Sequence, residues 1–293
     1  MAFESRAEYW KELPSYDSSF HFRWQPISKG IRFDQLSASQ KQMVNHFEFH
    51  YEITTKDNLF RNFLKYTHET KLNPFLYVPL TFIINVNEFG EVVNYKEFVK
   101  CHKILSKLKK NYEKKLKEIG FAVNKKLVIT EKAELNETHF AGKNIWIFKP
   151  TELNRGQGVI VFDTLPKFFE LIKEYSKGPI DEEMLVNKTK ATKSPKNKIR
   201  ARSFVIQKYI EKPLLIYNRK FDIRCWALVT HEMKLYFFKE GYIRTSSSEY
   251  TVDDVEKKDI HLTNNAIQKY CTGYSKFEDG NQMSFPMFQV IVI

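Results

Sequence analysis

The loop Arg155-Gly156-Gln157-Gly158 follows Lys149 and separates two apolar runs. A lysine carries a compact charge that suits phosphate, and glycines let backbone N–H groups approach a ligand closely. The loop matches neither the Walker A motif nor the dinucleotide-binding fingerprint, so a plain turn remains an alternative to a ligand-binding loop.

A second polar group alternates along one predicted strand. With a side-chain period of two, Lys220, Asp222 and Arg224 share one face, while Phe221 and Ile223 point to the other, core-facing side. Charges on a half-buried strand are costly unless they meet a ligand or each other. This face therefore predicts either part of a ligand site or a surface ladder of salt bridges.

Further basic and amide side chains follow. Arg244 ends the next apolar run, and Thr263, Asn264 and Lys269 lie in a later polar segment. Together with Lys149 and Lys220, these groups suit a ligand that carries both a polyphosphate and a carboxylate.

The elements that must position these residues are a mixture of strands and helices. The segments Asn144–Pro150 and Ser203–Ile210 predict strands, and the segments on either side of His231-Glu232-Met233 predict a β-hairpin. In Asn144–Pro150, alternation sets Lys149 opposite Trp146 and Phe148. A helix is predicted to begin near Thr55, and the run Phe75–Asn85 predicts a strand or a buried extended segment. The sequence predicts an α+β chain.

A long basic helix is predicted between Tyr95 and Gly120. Its apolar residues recur every three or four positions, and its other faces carry many lysines, including Lys107, Lys110 and Lys114. These lysines form either a solvated face or a docking surface for an acidic partner. A second basic stretch, residues 187–202, has no such period and predicts an exposed loop.

Composition narrows the class of protein. The 293 residues contain 47 Lys and Arg against 35 Asp and Glu, a net charge of +12 that attracts acidic partners. No RNP-like or helix-turn-helix pattern supports nucleic-acid binding. The three cysteines do not form a CxxC pair, the histidines have no metal-ligand spacing, and no apolar run is long enough for a bilayer. We expect an intracellular protein without a metal site of its own or a membrane partner.

The sequence resembles the tubulin–tyrosine ligase-like family, whose C-terminal part has the ATP-grasp fold. The matching segments, in order, are "NHFEFHYEITTKDNLFRN", "NIWIFKP", "NRGQGVIVF", "VIQKYIEKPLLIYNRKFDIRCWALVT", "KEGYIRTSSSEY" and "HLTNNAIQKY". They extend over about residues 45–270, and the resemblance depends on their number and order rather than on any single motif.

The resemblance implies a role for each candidate residue. Lys149 would contact the ATP phosphates, and the loop Arg155, Gly156, Gln157 and Gly158 would close over them. The hinge whose backbone reads adenine would be Gln207, Lys208, Tyr209 and Ile210. The residues along the nucleotide would be Lys220, Asp222, Thr263 and Asn264. Arg244 and Lys269 would hold the incoming amino acid. Arg224 and Arg244 are the predicted catalytic residues.

The implied reaction is ATP-dependent ligation. A carboxylate of an acidic tubulin tail would attack the γ-phosphate, and the amine of a free amino acid would displace phosphate from the acyl phosphate. The segments "QKYIEKPLLIY" and "HLTNNAIQKY" favour glycine, with glutamate as the runner-up. The resemblance also implies a cytoplasmic location on the cytoskeleton, in a cilium or at a basal body.

One departure from the family pattern concerns magnesium. The family's main Mg²⁺ ligands come from a later strand with a Glu-x-Asn motif, and this motif is absent between Tyr270 and Ile293. We therefore expect an incomplete ATP-grasp fold whose magnesium ligands lie beyond Ile293. The alternative is a non-catalytic relative that binds tubulin or microtubules.

Three domains are expected. Residues 1–92 would form an N-terminal domain, residues 93–200 a central domain with the basic helix and glycine loop, and residues 201–293 a partial ATP-grasp domain.

Overall fold

The computed structural model describes residues 4–14, 19–39, 41–119, 127–130, 133–151, 153–176 and 201–292. Their contacts divide the chain into two units, Met1–Thr54 and Thr55–Ile293. Residues 92 and 200, the predicted domain boundaries, both fall within the range of the second unit. Within the described ranges, no helix combines the length and the apolar character needed to cross a bilayer.

The first unit has little regular structure. Strands β1 (Phe22–Arg23) and β2 (Met43–Val44) pair in parallel, followed by the short helix α1 (Tyr51–Thr54). The Asn45 side chain accepts from Gln25 N at 3.0 Å and donates to Gln25 O at 2.9 Å. Such side-chain bonds to the backbone hold segments that have few ladder bonds of their own.

The second unit contains the remaining elements. In chain order these are α2 (Lys56–Glu69), β3 (Thr81–Val86), β4 (Val92–Val93), α3 (Lys96–Ile119), β5 (Leu127–Thr130), β6 (Ala133–Leu135), β7 (Trp146–Pro150), β8 (Ile160–Phe162), α4 (Leu165–Ser176), β9 (Ser203–Lys208), β10 (Leu215–Ile216), β11 (Arg219–Arg224), β12 (Ala227–Val229), β13 (Leu235–Phe237), β14 (Tyr242–Glu249), α5 (Lys258–His261), α6 (Asn265–Gln268), β15 (Gln282–Ser284) and α7 (Phe285–Val292). Helices and antiparallel sheets together confirm the predicted α+β class.

A five-stranded antiparallel sheet forms the centre of this unit, in the order β4-β3-β9-β7-β8. Its strands come from all three segments predicted as domains. One face of the sheet packs against α3 and α4 in a cluster that includes Phe98, Trp146, Phe148, Phe168 and Phe204. Each of these aromatic side chains is fully buried. Burial of a large apolar side chain stabilises the fold by about 1.5–3 kcal/mol.

The opposite face of this sheet carries the polar residues. Alternation along β7 buries Trp146 and Phe148 under the helices and directs Lys149 to the other side, as the sequence predicts. Gln207 on β9 and Thr81 on β3 are register partners on this face. Lys149 and Gln207 thus lie on the face away from the aromatic core, whereas Lys208, also a predicted site residue of β9, lies beside Trp146 on the core face.

A four-stranded sheet, in the order β10-β11-β14-β15, carries the second group of polar residues. In its antiparallel register, Asp222 of β11 faces Arg244 of β14, and Ile223 faces Ile243. A small core beneath it contains Ile216, Ile243 and Met283, with Phe221 packed against them.

The expectation that Ile223 points into the core is wrong. Its side chain is 52% exposed, while its partner Ile243 is fully buried. Alternation still places Ile223 on the same face as Phe221 and Ile243, but Ile223 lies next to the end of the strand at Arg224, where the small core no longer covers it. Only Phe221, of the predicted core-facing residues, packs against the apolar cluster.

Most predicted elements form where the sequence indicates. Helix α2 begins one residue after Thr55, and α3 covers the predicted basic helix as far as Ile119. The hairpin at residues 231–233 joins β12 and β13, which form a sheet of their own rather than a continuation of β11 and β14. In the run Phe75–Asn85, the strand begins only at Thr81. The predicted basic loop, residues 187–202, lies almost entirely outside the described residues.

Candidate functional site

Lys149 is held by a short chain of hydrogen bonds across the central sheet. Its Nζ donates to Gln207 Oε1 at 2.7 Å, and Gln207 Nε2 donates to Thr81 Oγ1 at 2.8 Å. The Thr81 hydroxyl in turn donates to the carbonyl of Pro79 at 2.7 Å. The Gln207 side chain therefore orients the lysine, a function that the sequence did not indicate.

Lys220 is held by a second chain. Its Nζ donates to the Tyr209 hydroxyl and to the carbonyl oxygen of His261, each at 2.9 Å. The ammonium also lies 4.4 Å from the centroid of the Tyr209 ring. The Tyr209 hydroxyl is 2.9 Å from His261 Nδ1, and His261 Nε2 is 2.9 Å from the carbonyl of Asp254.

Asp222 joins the two polar segments that the sequence keeps apart. Its carboxylate accepts from Arg244 Nε at 2.7 Å and from Arg244 Nη2 at 2.8 Å. It also accepts from Thr263 Oγ1 at 2.6 Å. A paired guanidinium is more rigid than a free one, because its planar fork matches the carboxylate. Three predicted residues thus meet at one point.

Among the described residues, no carboxylate forms a salt bridge with the ammonium group of Lys149 or Lys220. Burial, together with the nearby charge of Lys56, lowers the pKa of Lys149 to about 8. Burial likewise lowers the pKa of Lys220 to about 8, with Lys149 acting in the same direction and Asp222 opposing it. Like charges gathered in a partly dehydrated place favour an anion between them.

The glycine loop lies against the segment that carries Asn264. Arg155, Gly156 and Gly158 have positive φ angles of 57°, 78° and 67°. A Cβ at Gly156 would lie 2.7 Å from Ile267 Cδ1 and 2.8 Å from Asn264 Oδ1. Only glycine fits this approach without displacing its neighbours, so the loop and Asn264 are brought together by packing.

The hinge residues have a fixed backbone. The N–H of Lys208 donates to the carbonyl of Leu80, and that of Tyr209 donates to the carbonyl of Ile145. The Lys208 side chain is buried and donates to Glu211 Oε1 at 2.6 Å, so it is a structural group. Ile210 is 38% exposed, while its carbonyl accepts from Tyr250. A role in reading adenine stays a prediction for these residues.

Two predicted residues lie apart from this cluster. Arg224 is exposed at the end of β11, and Lys269 is exposed after α6, with its Nζ 4.9 Å from the Tyr270 ring centroid. Arg155 and Gln157 are also exposed at the tip of the loop. Their predicted contacts with substrate or nucleotide are not tested by the geometry of the protein alone.

Lys56 is a site residue that the sequence reasoning missed. From the first turn of α2, its Nζ donates to the carbonyls of Pro150 and Leu153 at 3.2 and 2.6 Å. It therefore ties the start of the glycine loop to the helix. Burial lowers its pKa. No periodic pattern marks this lysine, because its partners are backbone atoms almost a hundred residues away in the sequence.

A buried ion pair fixes the strands beneath the site. Arg219, at the start of β11, pairs with Glu278, which also accepts from Thr245 Oγ1 at 2.9 Å. Arg219 Nη1 donates to the carbonyl of Ser246 at 3.1 Å. Both charged side chains are nearly inaccessible to water. Loss of one partner would leave a buried charge unpaired, so the pair constrains the β11–β14 register.

The groups described above are of the kinds that bind phosphate. Lys149 and Lys220 interact electrostatically, the glycine loop packs against Asn264, and ammonium, backbone N–H and amide groups all donate to phosphate oxygens. The described residues contain no cluster of three or more His, Cys, Asp or Glu side chains that could hold a metal ion. Both Asp222 oxygens already accept hydrogen bonds.

Comparison with known proteins identifies the family. The family model described as "Tubulin-tyrosine ligase family" matches residues 34–291. The chain belongs to this family. The resemblance inferred from the sequence motifs is thereby confirmed, and the α+β fold agrees with it.

The chain spans at most half the length of the relatives compared with it here. The chain is 38% identical to Tubulin glycylase 3B of Tetrahymena thermophila over 148 residues, which are 50% of this chain and 10% of the relative. It is 38% identical to Protein monoglycylase TTLL8 of Homo sapiens over 130 residues, 44% of this chain and 13% of that protein. It is 28% identical to Probable alpha-tubulin polyglutamylase Ttll1 of Tetrahymena thermophila over 255 residues, 86% of this chain and 50% of the relative.

Proposed function

We propose that the chain is part of an ATP-dependent ligase that adds an amino acid to carboxylates of tubulin tails. Glycine is the favoured amino acid and glutamate the next. The observation that carries the proposal is that Lys149 of the five-stranded sheet and Lys220 of the four-stranded sheet are close enough for the charge of Lys149 to lower the pKa of Lys220. Both lysines are half-buried, and their ammonium groups are hydrogen-bonded to neutral acceptors.

ATP fits this cluster by charge and by shape. Lys149 and Lys220 would hold the phosphates, and the close packing of Gly156 on Asn264 would let backbone N–H groups approach them. Magnesium is proposed from the family only, with ligands outside the residues described. It would supply charge neutralisation of the phosphates.

The chain's own residues would act by position and charge. Lys149 and Lys220 would stabilise the negative charge on the phosphates as a tail carboxylate attacks the γ-phosphorus and ADP leaves. Arg244, oriented by Asp222, would hold the carboxylate of the free amino acid. The amine would then attack the acyl carbon, lose a proton and release phosphate. Arg224 and Lys269 are proposed as further substrate contacts.

The preference for glycine rests on the relatives. The two glycine-adding enzymes are 38% identical to the chain over their matched regions, and the polyglutamylase is 28% identical over a longer region. By the same reasoning, we propose tubulin or microtubules as partners, within the cytoskeleton or a cilium.

Labelled amino acids test this proposal. The chain is incubated with tubulin, ATP and Mg²⁺ and with either labelled glycine or labelled glutamate. We expect ATP-dependent labelling of tubulin, stronger with glycine, and its loss in Lys149→Met. Binding to microtubules without incorporation of either amino acid would instead support a non-catalytic tubulin-binding protein.

A further inference from the structure

His261 occupies an enclosed place beside the proposed nucleotide site. It ends helix α5 and is 2% exposed. The rings of Tyr209 and Tyr250 stand edge-on to its imidazole, with centroids 5.4 and 6.0 Å away. The orientation of this ring is fixed by the hydrogen bonds that its two nitrogens make.

The hydrogen bonds of His261 have a determined direction. The carbonyl of Asp254 can only accept, so the nitrogen 2.9 Å from it, Nε2, carries the proton. Nδ1 of the neutral ring must then accept, and the Tyr209 hydroxyl, 2.9 Å away, donates to it. Burial lowers the pKa of His261, which favours this neutral form.

The same direction determines what Lys220 meets. Because the Tyr209 hydroxyl donates its proton to His261, its oxygen acts as an acceptor for the Lys220 ammonium at 2.9 Å. The carbonyl of His261 supplies a second acceptor, also at 2.9 Å. Two of the three ammonium protons are thus directed at protein acceptors, and no hydrogen bond of the third is found among the described residues.

We propose that His261 is a positioning residue, which orients the Lys220 ammonium through the Tyr209 hydroxyl. If its Nδ1 acceptor is lost, the hydroxyl is free to rotate and to point its proton at the ammonium. The orientation of the Lys220 ammonium depends only on the protein's own side chains. Its consequence for nucleotide binding rests on the function proposed above.

Two amide substitutions separate the ring nitrogens. His261→Asn places an acceptor near the position of Nδ1, whereas His261→Gln places its amide near Nε2 and leaves Tyr209 without its acceptor. Tyr209→Phe removes the relay itself. His102→Gln is the matched control, since His102 is also buried and its Nε2 lies 3.0 Å from the carbonyl of Asp163, on α3 away from the site.

The first readout is the NMR signal of the Lys220 ammonium in the ligand-free protein at pH 6, assigned by its loss in Lys220→Met. Hydrogen-bonded ammonium protons exchange slowly with water and give a resolved signal. We expect the signal in wild type, His261→Asn and His102→Gln, and its broadening in His261→Gln and Tyr209→Phe. An unchanged signal in His261→Gln would overturn the inference, whatever the protein binds.

The second readout is ATP affinity by calorimetry. We expect about tenfold weaker binding in His261→Gln, the size of one lost hydrogen bond to a charged group, and near-normal binding in His261→Asn. In a Lys220→Met background, His261→Gln should change affinity no further. Additive losses would mean a purely structural role and would overturn the inference. If wild type binds no ATP, the proposed function fails, while the NMR signal still decides the role of His261.

Discussion

Asp222 and Arg244 lie directly opposite each other on β11 and β14 and share two hydrogen bonds, of 2.7 and 2.8 Å. Thr263 approaches the same carboxylate at 2.6 Å. One carboxylate therefore gathers residues from three separate segments. The bonds to Asp222 use Nε and one hydrogen of Nη2, so they leave the other Arg244 donors unused by this pair.

Asp222→Asn removes the charge of this carboxylate and keeps its shape. We expect ATP-dependent ligation to be lost, because Arg244 loses its ionic partner beside the phosphates. The melting curve should shift little, by about 0–1 kcal/mol in the free energy of unfolding, since partly exposed ion pairs contribute little. The Asp222 side chain is 36% exposed. Full activity with lower stability would assign the pair to a surface salt bridge.

Ile223 and Ile243, which lie opposite each other on β11 and β14, should respond differently to an introduced charge. Ile223→Asp should change the free energy of unfolding by less than about 1 kcal/mol, because that side chain is half exposed. Ile243→Asp should unfold the protein, because it buries an unpaired charge in the small core. Circular dichroism melts of both variants measure this, and similar melting temperatures would contradict the difference in burial between the two isoleucines.

Gly156→Ala tests the contact between the glycine loop and Asn264. The new Cβ would clash with Ile267 and Asn264, so the loop must move and ATP affinity should fall. Gly90→Ala is the matched control, because Gly90 has a similar φ of 81° and an added Cβ would have open space. Both variants should lose about 1 kcal/mol of stability from the positive φ. Equal ATP affinity in both would separate the loop from the site.

The half-buried Lys149 and Lys220 predict opposite pH effects on binding and on folding. Phosphate binding needs charged ammonium groups, so affinity for ATP should fall as pH rises through about 8, the pKa of Lys149 and Lys220. Unfolded lysine keeps its ordinary pKa of 10.5. Between these values the unfolded state binds more protons, so stability from these groups increases with pH.

Titration calorimetry and urea unfolding at pH 7 and pH 9 measure the two effects. In the double variant Lys149→Met, Lys220→Met, this part of both pH dependences should disappear. ATP affinity that stays constant or rises between pH 7 and pH 9 would contradict a phosphate site built on these lysines.

The basic face of α3 predicts salt-sensitive binding to acidic tails. Lys103, Lys107 and Lys110 are exposed, so reversing them to Glu removes no core contact. Cosedimentation with microtubules should weaken in this triple variant. For wild type it should weaken with salt, because the Debye length shortens to about 3 Å near 1 M. If the triple variant sediments like wild type, the lysines form only a solvated face.

The sequence predicted the local features of the site better than its connections. Alternation correctly set Lys149 apart from Trp146 and Phe148, because the aromatic core makes that strand's two faces unequal. It did not predict that Ile223 is exposed, because the core stops short of the strand end at Arg224. Lys56 and His261 gave no signal, since their contacts with backbone atoms and Tyr209 depend on tertiary packing. The roles of Arg224 and Lys269 remain predictions.

The most direct test of the central claim is the affinity of the chain for ATP with one lysine changed at a time. Lys149→Met and Lys220→Met should each weaken binding about tenfold or more, because each removes a positive charge that would contact the phosphates. Lys65→Met, on the exposed surface of α2, should bind like wild type. Equal affinity in all four proteins would contradict a nucleotide site between the two sheets.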